Sequence, residues 1–220
     1  MAEHKLKIGY AGSLKAHRPG DLKRPWHAPI SDRIWTFRNR SVQHHTRSGY
    51  YLLKGVQAFH AAYPERVGEL DVHLWGMIDG ENARQVEEFG IGESVRIGGY
   101  VSKGESEEML GECDVLFLPL ETADDPLFIP GKVFDYIQLG KPVLALGPES
   151  DCTRILDRAG LGMRLDPEDT AGIAEMLYEL LEGKAELAGK FQVDRKWVEG
   201  NFHFRNLTKK LDGIFENVTS

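Results

Sequence analysis

The feature that most constrains this chain is an alternation. Short runs rich in Val, Ile and Leu recur along it, separated by stretches whose apolar residues fall at helical spacing. Lys5 to Ala11 (KLKIGYA), Leu70 to Trp75, Val95 to Val101, Asp114 to Leu120 (DVLFLPL), Pro142 to Leu146 and Gly162 to Leu165 read as strands. Tyr50 to Ala62, Glu81 to Phe89, residues 130–139 and Cys152 to Ala159 read as helices. Ser102 with Glu105 forms a capping-box pattern that opens a further helix, ending near Glu112. Asp166, with Pro167 at the first helical position, opens one whose Ile173, Met176, Leu177, Leu180 and Leu181 share a stripe. The tail from Gln192 to Asn217 adds one or two more. Strands alternating with helices predict one doubly wound, Rossmann-like α/β domain of about six parallel strands with right-handed crossovers. DVLFLPL is apolar almost throughout, as in a strand covered on both faces. Ligands of such sheets bind at the carboxyl ends of the strands. The loops to inspect are therefore 12–15, 76–80, 101–104, 121–131 and 147–151.

Composition narrows the function. Of 220 residues, 41% are hydrophobic and 28% charged, an ordinary globular balance with no apolar run long enough for a membrane span. Met1 to Lys7 is polar, unlike a secretory signal. The only cysteines are Cys113 and Cys152, which suits a reducing cytosol better than a disulfide framework. The expected location is cytoplasmic, with the inner face of a membrane left open. The net charge is −7, which argues against nucleic acid as a partner. It is uneven: residues 15–50 carry eight Lys or Arg against Asp21 and Asp32, so that stretch is +6 and the remainder −13. This basic loop, irregular over 14–46, suits a phosphate-bearing ligand, an anionic lipid surface or plain solvent.

The most informative segment is Phe128-Ile129-Pro130-Gly131-Lys132-Val133-Phe134-Asp135-Tyr136, between two buried strands. Pro130 suits a first helical turn, which leaves the amides of Gly131, Lys132 and Val133 pointing out of the helix start. Aligned amides and the helix dipole favour phosphate there, and Gly131 admits close approach. Asp135 lies one turn on, on the same side. A carboxylate beside an anion site needs donors of its own, and ribose hydroxyls are such donors. An ordinary helix start with a capping Asp remains the competing reading. His44-His45 has no further ligand at metal spacing. There is no Walker loop, because Gly140-Lys141 is followed by Pro142, and no Gly-x-Gly-x-x-Gly. Trp26, Trp35, Phe37, Tyr50 and Tyr51 suit core packing better than stacking on a ligand.

The segment PGKVFDY...GKPVLA resembles the Pro-x-Lys-hydrophobic-Phe-Glu-Tyr...Gly-Lys-Pro signature of family-4-type glycosyltransferases of GT-B architecture. Lys7 to Leu14, Leu52 to Phe59, Val95 to Val101 and Glu112 to Leu116 resemble further segments of that family's carboxy-terminal domain, in the same order. The likeness covers roughly residues 6–185. It implies half of a GT-B architecture, with residues 1–220 as the donor-binding domain and 186–220 as terminal helices. The amino-terminal acceptor domain is then absent, supplied by a partner subunit or by the rest of a longer protein. The resemblance implies a UDP- or GDP-linked sugar as donor and no metal, since the sequence lacks an Asp-x-Asp. Gly12, Ser13, Gly131, Lys132 and Val133 would cradle the diphosphate, with Arg47 as a further phosphate partner. Tyr100 and Val101 would meet the base, and Asp135 the ribose, where the family has Glu. The family's second Glu, eight positions earlier, is Leu127 here, so no catalytic residue is assigned. Glu121, Asp124 and Asp125 are the nearby acids. The implied function is donor binding for glycosyl transfer in polysaccharide or glycolipid synthesis. The alternatives are another GT-B sugar-nucleotide enzyme, such as an epimerase, or a non-catalytic flavodoxin-like module. The last would favour an acidic cluster where the first strand ends in Gly12-Ser13.

Overall fold

A computed structural model describes residues 5–19, 47–121 and 129–219. Most of the basic loop, with Trp26, Trp35, Phe37 and His44-His45, lies outside the described residues, as do Asp124, Asp125, Leu127 and Phe128.

Among the described residues six strands form one sheet: β1 (Leu6–Ala11), β2 (Leu70–Trp75), β3 (Val95–Ile97), β4 (Val115–Pro119), β5 (Val143–Leu146) and β6 (Gly162–Leu165). Their order is β3-β2-β1-β4-β5-β6 and every pairing is parallel. The chain runs outward from β1 to one edge, returns to its other side at β4, and runs outward again. The direction of winding therefore reverses between β1 and β4, the place where such sheets open a crevice. The helices are α1 (Tyr50–Ala62), α2 (Gly80–Glu88), α3 (Lys103–Gly111), α4 (Lys132–Leu139), α5 (Asp151–Arg158) and α6 (Thr170–Glu182), followed by α7 (Leu187–Lys190), α8 (Arg195–Phe202) and α9 (Phe204–Thr219).

Strand periodicity explains the two cores. In β4, Val115 and Phe117 face one side while Leu116 and Leu118 face the other, and all four are buried. The first side packs under α1 and α6 through Val56, Phe59, Ile173 and Leu177. A Cβ on Gly55 would stand 2.2 Å from Ile173 Cγ2, so these helices cross where a side chain is missing. The second side packs under α3, α4 and α5 through Leu110, Val133, Tyr136, Ile137 and Leu156. Each such apolar side chain contributes about 1.5–3 kcal/mol on burial. The Tyr136 hydroxyl donates to the Phe117 carbonyl at 3.1 Å and ties α4 to the sheet.

Two sequence expectations need correction. The third strand was expected over Val95 to Val101 but stops at Ile97. A Cβ on Gly98 would stand 2.4 Å from Trp75 Cδ1, so the chain leaves the sheet flush against the indole. Asp166 does not cap α6: its carboxylate accepts the Glu168 amide at 2.8 Å in the preceding turn. Asp169, three residues on, accepts the Gly172 amide at 2.9 Å and starts the helix at Thr170. The tail from Gln192 on holds two helices, α8 and α9, within the one or two expected. The Ser102–Glu105 capping box forms as expected, with both reciprocal bonds present.

Candidate functional site

The site begins where β1 and β2 end. Gly12 leaves β1 at φ +142° and Gly76 leaves β2 at φ +109°, conformations that L side chains rarely adopt. A Cβ on Gly76 would stand 2.5 Å from the Gly12 carbonyl oxygen, so the two backbones touch. The Gly12 amide donates to the Trp75 carbonyl at 2.9 Å, and the Tyr10 hydroxyl donates to the Ser13 carbonyl at 2.6 Å. The turn after β1 is thus pinned from the neighbouring strand and from beneath.

Lys132 enters this turn from the start of α4. A Cβ on Gly12 would stand 2.0 Å from Lys132 Nζ, so the ammonium occupies the space that glycine leaves. It also lies 5.3 Å from the Tyr10 ring centre, over its face. Burial, and then the nearby Arg47 guanidinium, lower the Lys132 pKa, while Asp135 raises it. Burial drives the Tyr10 hydroxyl up to about 12 against a smaller lowering by Arg47. A partly desolvated cation beside a second cation is an arrangement that an anion relieves.

The helix start differs in detail from the sequence reading. Val133 does not offer its amide outward: that N–H donates to the Pro130 carbonyl at 3.0 Å, in a tight first turn. The Val133 side chain is fully buried. The Gly131 and Lys132 amides have no hydrogen-bond partner among the described residues.

A cleft of about 340 Å³ opens over this end of the sheet. It gathers Gly12 and Ser13 after β1, Gly76 and Met77 after β2, Tyr100 and Val101 after β3, one side of α3 through Lys103, Ser106, Glu107 and Leu110, and Lys132, Asp135, Tyr136 and Leu139 of α4. Six of the nine residues singled out from sequence therefore line one cavity, while Gly131, Val133 and Arg47 do not. Arg47 Nη1 lies 3.4 Å from Glu121 Oε1, after β4. Its charge lowers the pKa of both Lys132 and Tyr10. Gly76, Met77 and the α3 residues were not singled out. Their loop positions marked them for inspection, but only the touching of Gly12 and Gly76 and the placing of α3 turn them toward the cleft.

Comparison with solved structures places this architecture. TarM of S. aureus superposes on 96% of the chain at TM-score 0.62 with 12% identity. HepE of Anabaena superposes on 97% at TM-score 0.60 with 12% identity. The sucrose-phosphate synthase of Thermosynechococcus elongatus superposes on 76% at TM-score 0.54 with 16% identity. The chain shares the fold of part of these GT-B structures. The chain spans 36% of TarM, 49% of HepE and 42% of the synthase. HepE was solved with UDP and glucose, and TarM with UDP among its ligands. In sequence, the chain is 31% identical over 74 residues to "Probable glycosyltransferase WbjE" of Pseudomonas aeruginosa, a match covering 33% of this chain and 18% of that protein. No family model matches the chain.

Proposed function

We propose that this chain is the donor-binding domain of a glycosyltransferase and holds a nucleoside diphosphate sugar in the cleft at the winding reversal. The observation that carries the reading is the Lys132 ammonium seated against Gly12, with the Arg47 charge acting on it and the Gly131 and Lys132 amides at the start of the same helix. Two cations and a helix start at one turn form a site for a diphosphate. Tyr100 and Val101, across the cleft, take the base, and Asp135 takes the ribose hydroxyls. UDP is the favoured nucleotide, because two of the structures sharing the fold were solved with it; GDP is the alternative. Binding needs no divalent metal, since the cationic groups come from the chain itself. The acceptor and the other half of the catalytic cleft come from a second, amino-terminal domain or a partner subunit. Polysaccharide or glycolipid synthesis in the cytoplasm is the expected setting.

Titration of UDP and GDP into the chain by calorimetry, with and without EDTA, tests this. One of the two should bind with the same affinity in both conditions. Failure of both to bind, or loss of binding with EDTA, would overturn the proposal.

A further inference from the structure

Lys132 crosses the end of the sheet to reach its seat. It begins α4, whose Val133 and Tyr136 belong to the core on one side of the sheet. Its ammonium lies over the ring of Tyr10, which belongs to the core on the other side, under α1 and α6. Gly12 opens the way: a Cβ there would overlap Lys132 Nζ and stand 2.8 Å from Cε. Among the described residues the ammonium has no hydrogen-bond or ion-pair partner, so the aromatic face is what receives it. Tyr10 is itself firmly held. Its side chain is buried, its ring lies 5.9 Å from that of Phe117, and its hydroxyl donates to the Ser13 carbonyl at 2.6 Å. One residue thus has its ring under the cation and its oxygen on the turn.

We infer that Tyr10 is a positioning residue for the phosphate site: its ring seats the Lys132 ammonium over Gly12, and its hydroxyl fixes the turn at Ser13. This rests on the nucleotide-sugar reading above. Tyr10 does not line the cleft, whereas Gly12, Ser13 and Lys132 do, so it acts through them. A lysine stem has much rotamer freedom, and a ligand that must freeze it binds less tightly. A ring that holds the ammonium before the ligand arrives removes that cost. The ring face also favours the ammonium over the neutral amine. It thereby offsets burial and the Arg47 charge, which both disfavour the charged form. The ionisable groups around this ammonium are Arg47 before α1, Asp135 and Tyr136 on α4, and Tyr10 itself, with Lys103 and Glu107 of α3 lining the same cleft.

The test is calorimetric titration of UDP, and of GDP in parallel, between about pH 7 and about pH 10. Three chains are compared: wild type, Tyr10→Phe, and a chain with trifluorophenylalanine at residue 10. Fluorine withdraws negative charge from the ring face and nearly keeps the ring's shape. Tyr10→Phe removes only the bond to Ser13 and should weaken nucleotide binding by about two- to fivefold. The pH at which its affinity declines should match wild type, because the ring face remains. The trifluoro chain should bind about threefold or more weaker than Tyr10→Phe. Its affinity should decline at lower pH, because the ammonium has lost its support. Ionisation of the nucleotide is common to all three chains and cancels in the comparison. A trifluoro chain that matches Tyr10→Phe in affinity and pH response would overturn the assignment. So would a Tyr10→Phe chain that binds as tightly as wild type. Affinity that falls only in step with melting temperature, with no change in pH response, would show Tyr10 to be packing alone and would overturn it too. A wild-type chain that binds neither nucleotide refutes the nucleotide reading itself, and this assignment with it.

Discussion

The Lys132 ammonium is packed against the Gly12 backbone, partly withdrawn from water and beside Arg47. A lysine whose folded pKa lies below its unfolded value costs stability wherever the folded state must carry the charge. That cost is present below the folded pKa and fades as pH rises through it. Lys132→Met should therefore raise the melting temperature of the ligand-free chain by roughly 1–3 °C, while nucleotide binding is lost. A melting temperature that falls together with affinity would show Lys132 to be a structural prop. For the same reason, wild-type affinity for UDP should decline with rising pH at values below the ordinary lysine 10.5, as the ammonium deprotonates. Asp135 has an opposite signature. Asp135→Asn should weaken UDP binding by about tenfold with little effect on pyrophosphate, since one charged hydrogen bond contributes about 1.5–3 kcal/mol. Asp135→Glu should bind nearly normally, whereas a mere helix-start carboxylate would show the Asn variant melting earlier with unchanged affinity. At this scale the sequence was legible where spacing sets the side: Lys132 and Asp135, nearly one turn apart on a helix, both line the cleft. Tyr10 and Gly76 were invisible, because what they do depends on partners brought near only by the sheet.

Among the elements, the turn after β1 is the most exacting. Gly12 and Gly76 both sit at positive φ, yet they differ in what a methyl would strike. At Gly12 the obstacle is the end of the Lys132 side chain, which can move; at Gly76 it is the Gly12 backbone, at 2.5 Å from the carbonyl oxygen, which cannot. Gly76→Ala should therefore destabilise the fold by about 1–3 kcal/mol. Gly12→Ala should melt less early but bind UDP poorly, because it evicts the ammonium. Thermal melts of both variants alongside UDP titration check the order. The strands themselves were readable from their apolar runs, and β2 and β6 match the expected bounds residue for residue. Boundaries failed where two signals competed. Asp166-Pro167 and Asp169 are both good helix openers, and the one three residues later starts α6. The Val95 to Val101 run keeps its β character, but Trp75 lies under Gly98 and ends the pairing.

For the whole molecule, the proposed function gives the chain only one reactant to hold. Since much of an enzyme's advantage comes from holding both, the chain alone should show little or no glycosyl transfer. Efficient turnover of UDP-glucose by the purified chain would contradict this. Its outer surface agrees: along α9, Phe204, Leu207, Leu211, Ile214 and Phe215 are all substantially exposed, as on a face awaiting cover. That apolar face continues into a groove where Phe134 meets Phe202 at 5.1 Å between ring centres. The groove and the cleft share α4. Lys132, Asp135, Tyr136 and Leu139 look into the cleft, while Phe134, Ile137 and Gln138 look into the groove. Eight residues make a rod about 12 Å long, too short to bend between its two faces. Whatever tilts it on one face must tilt it on the other. On the proposed function, a nucleotide held by Lys132 and a body resting in the groove bear on the same short helix from its two sides.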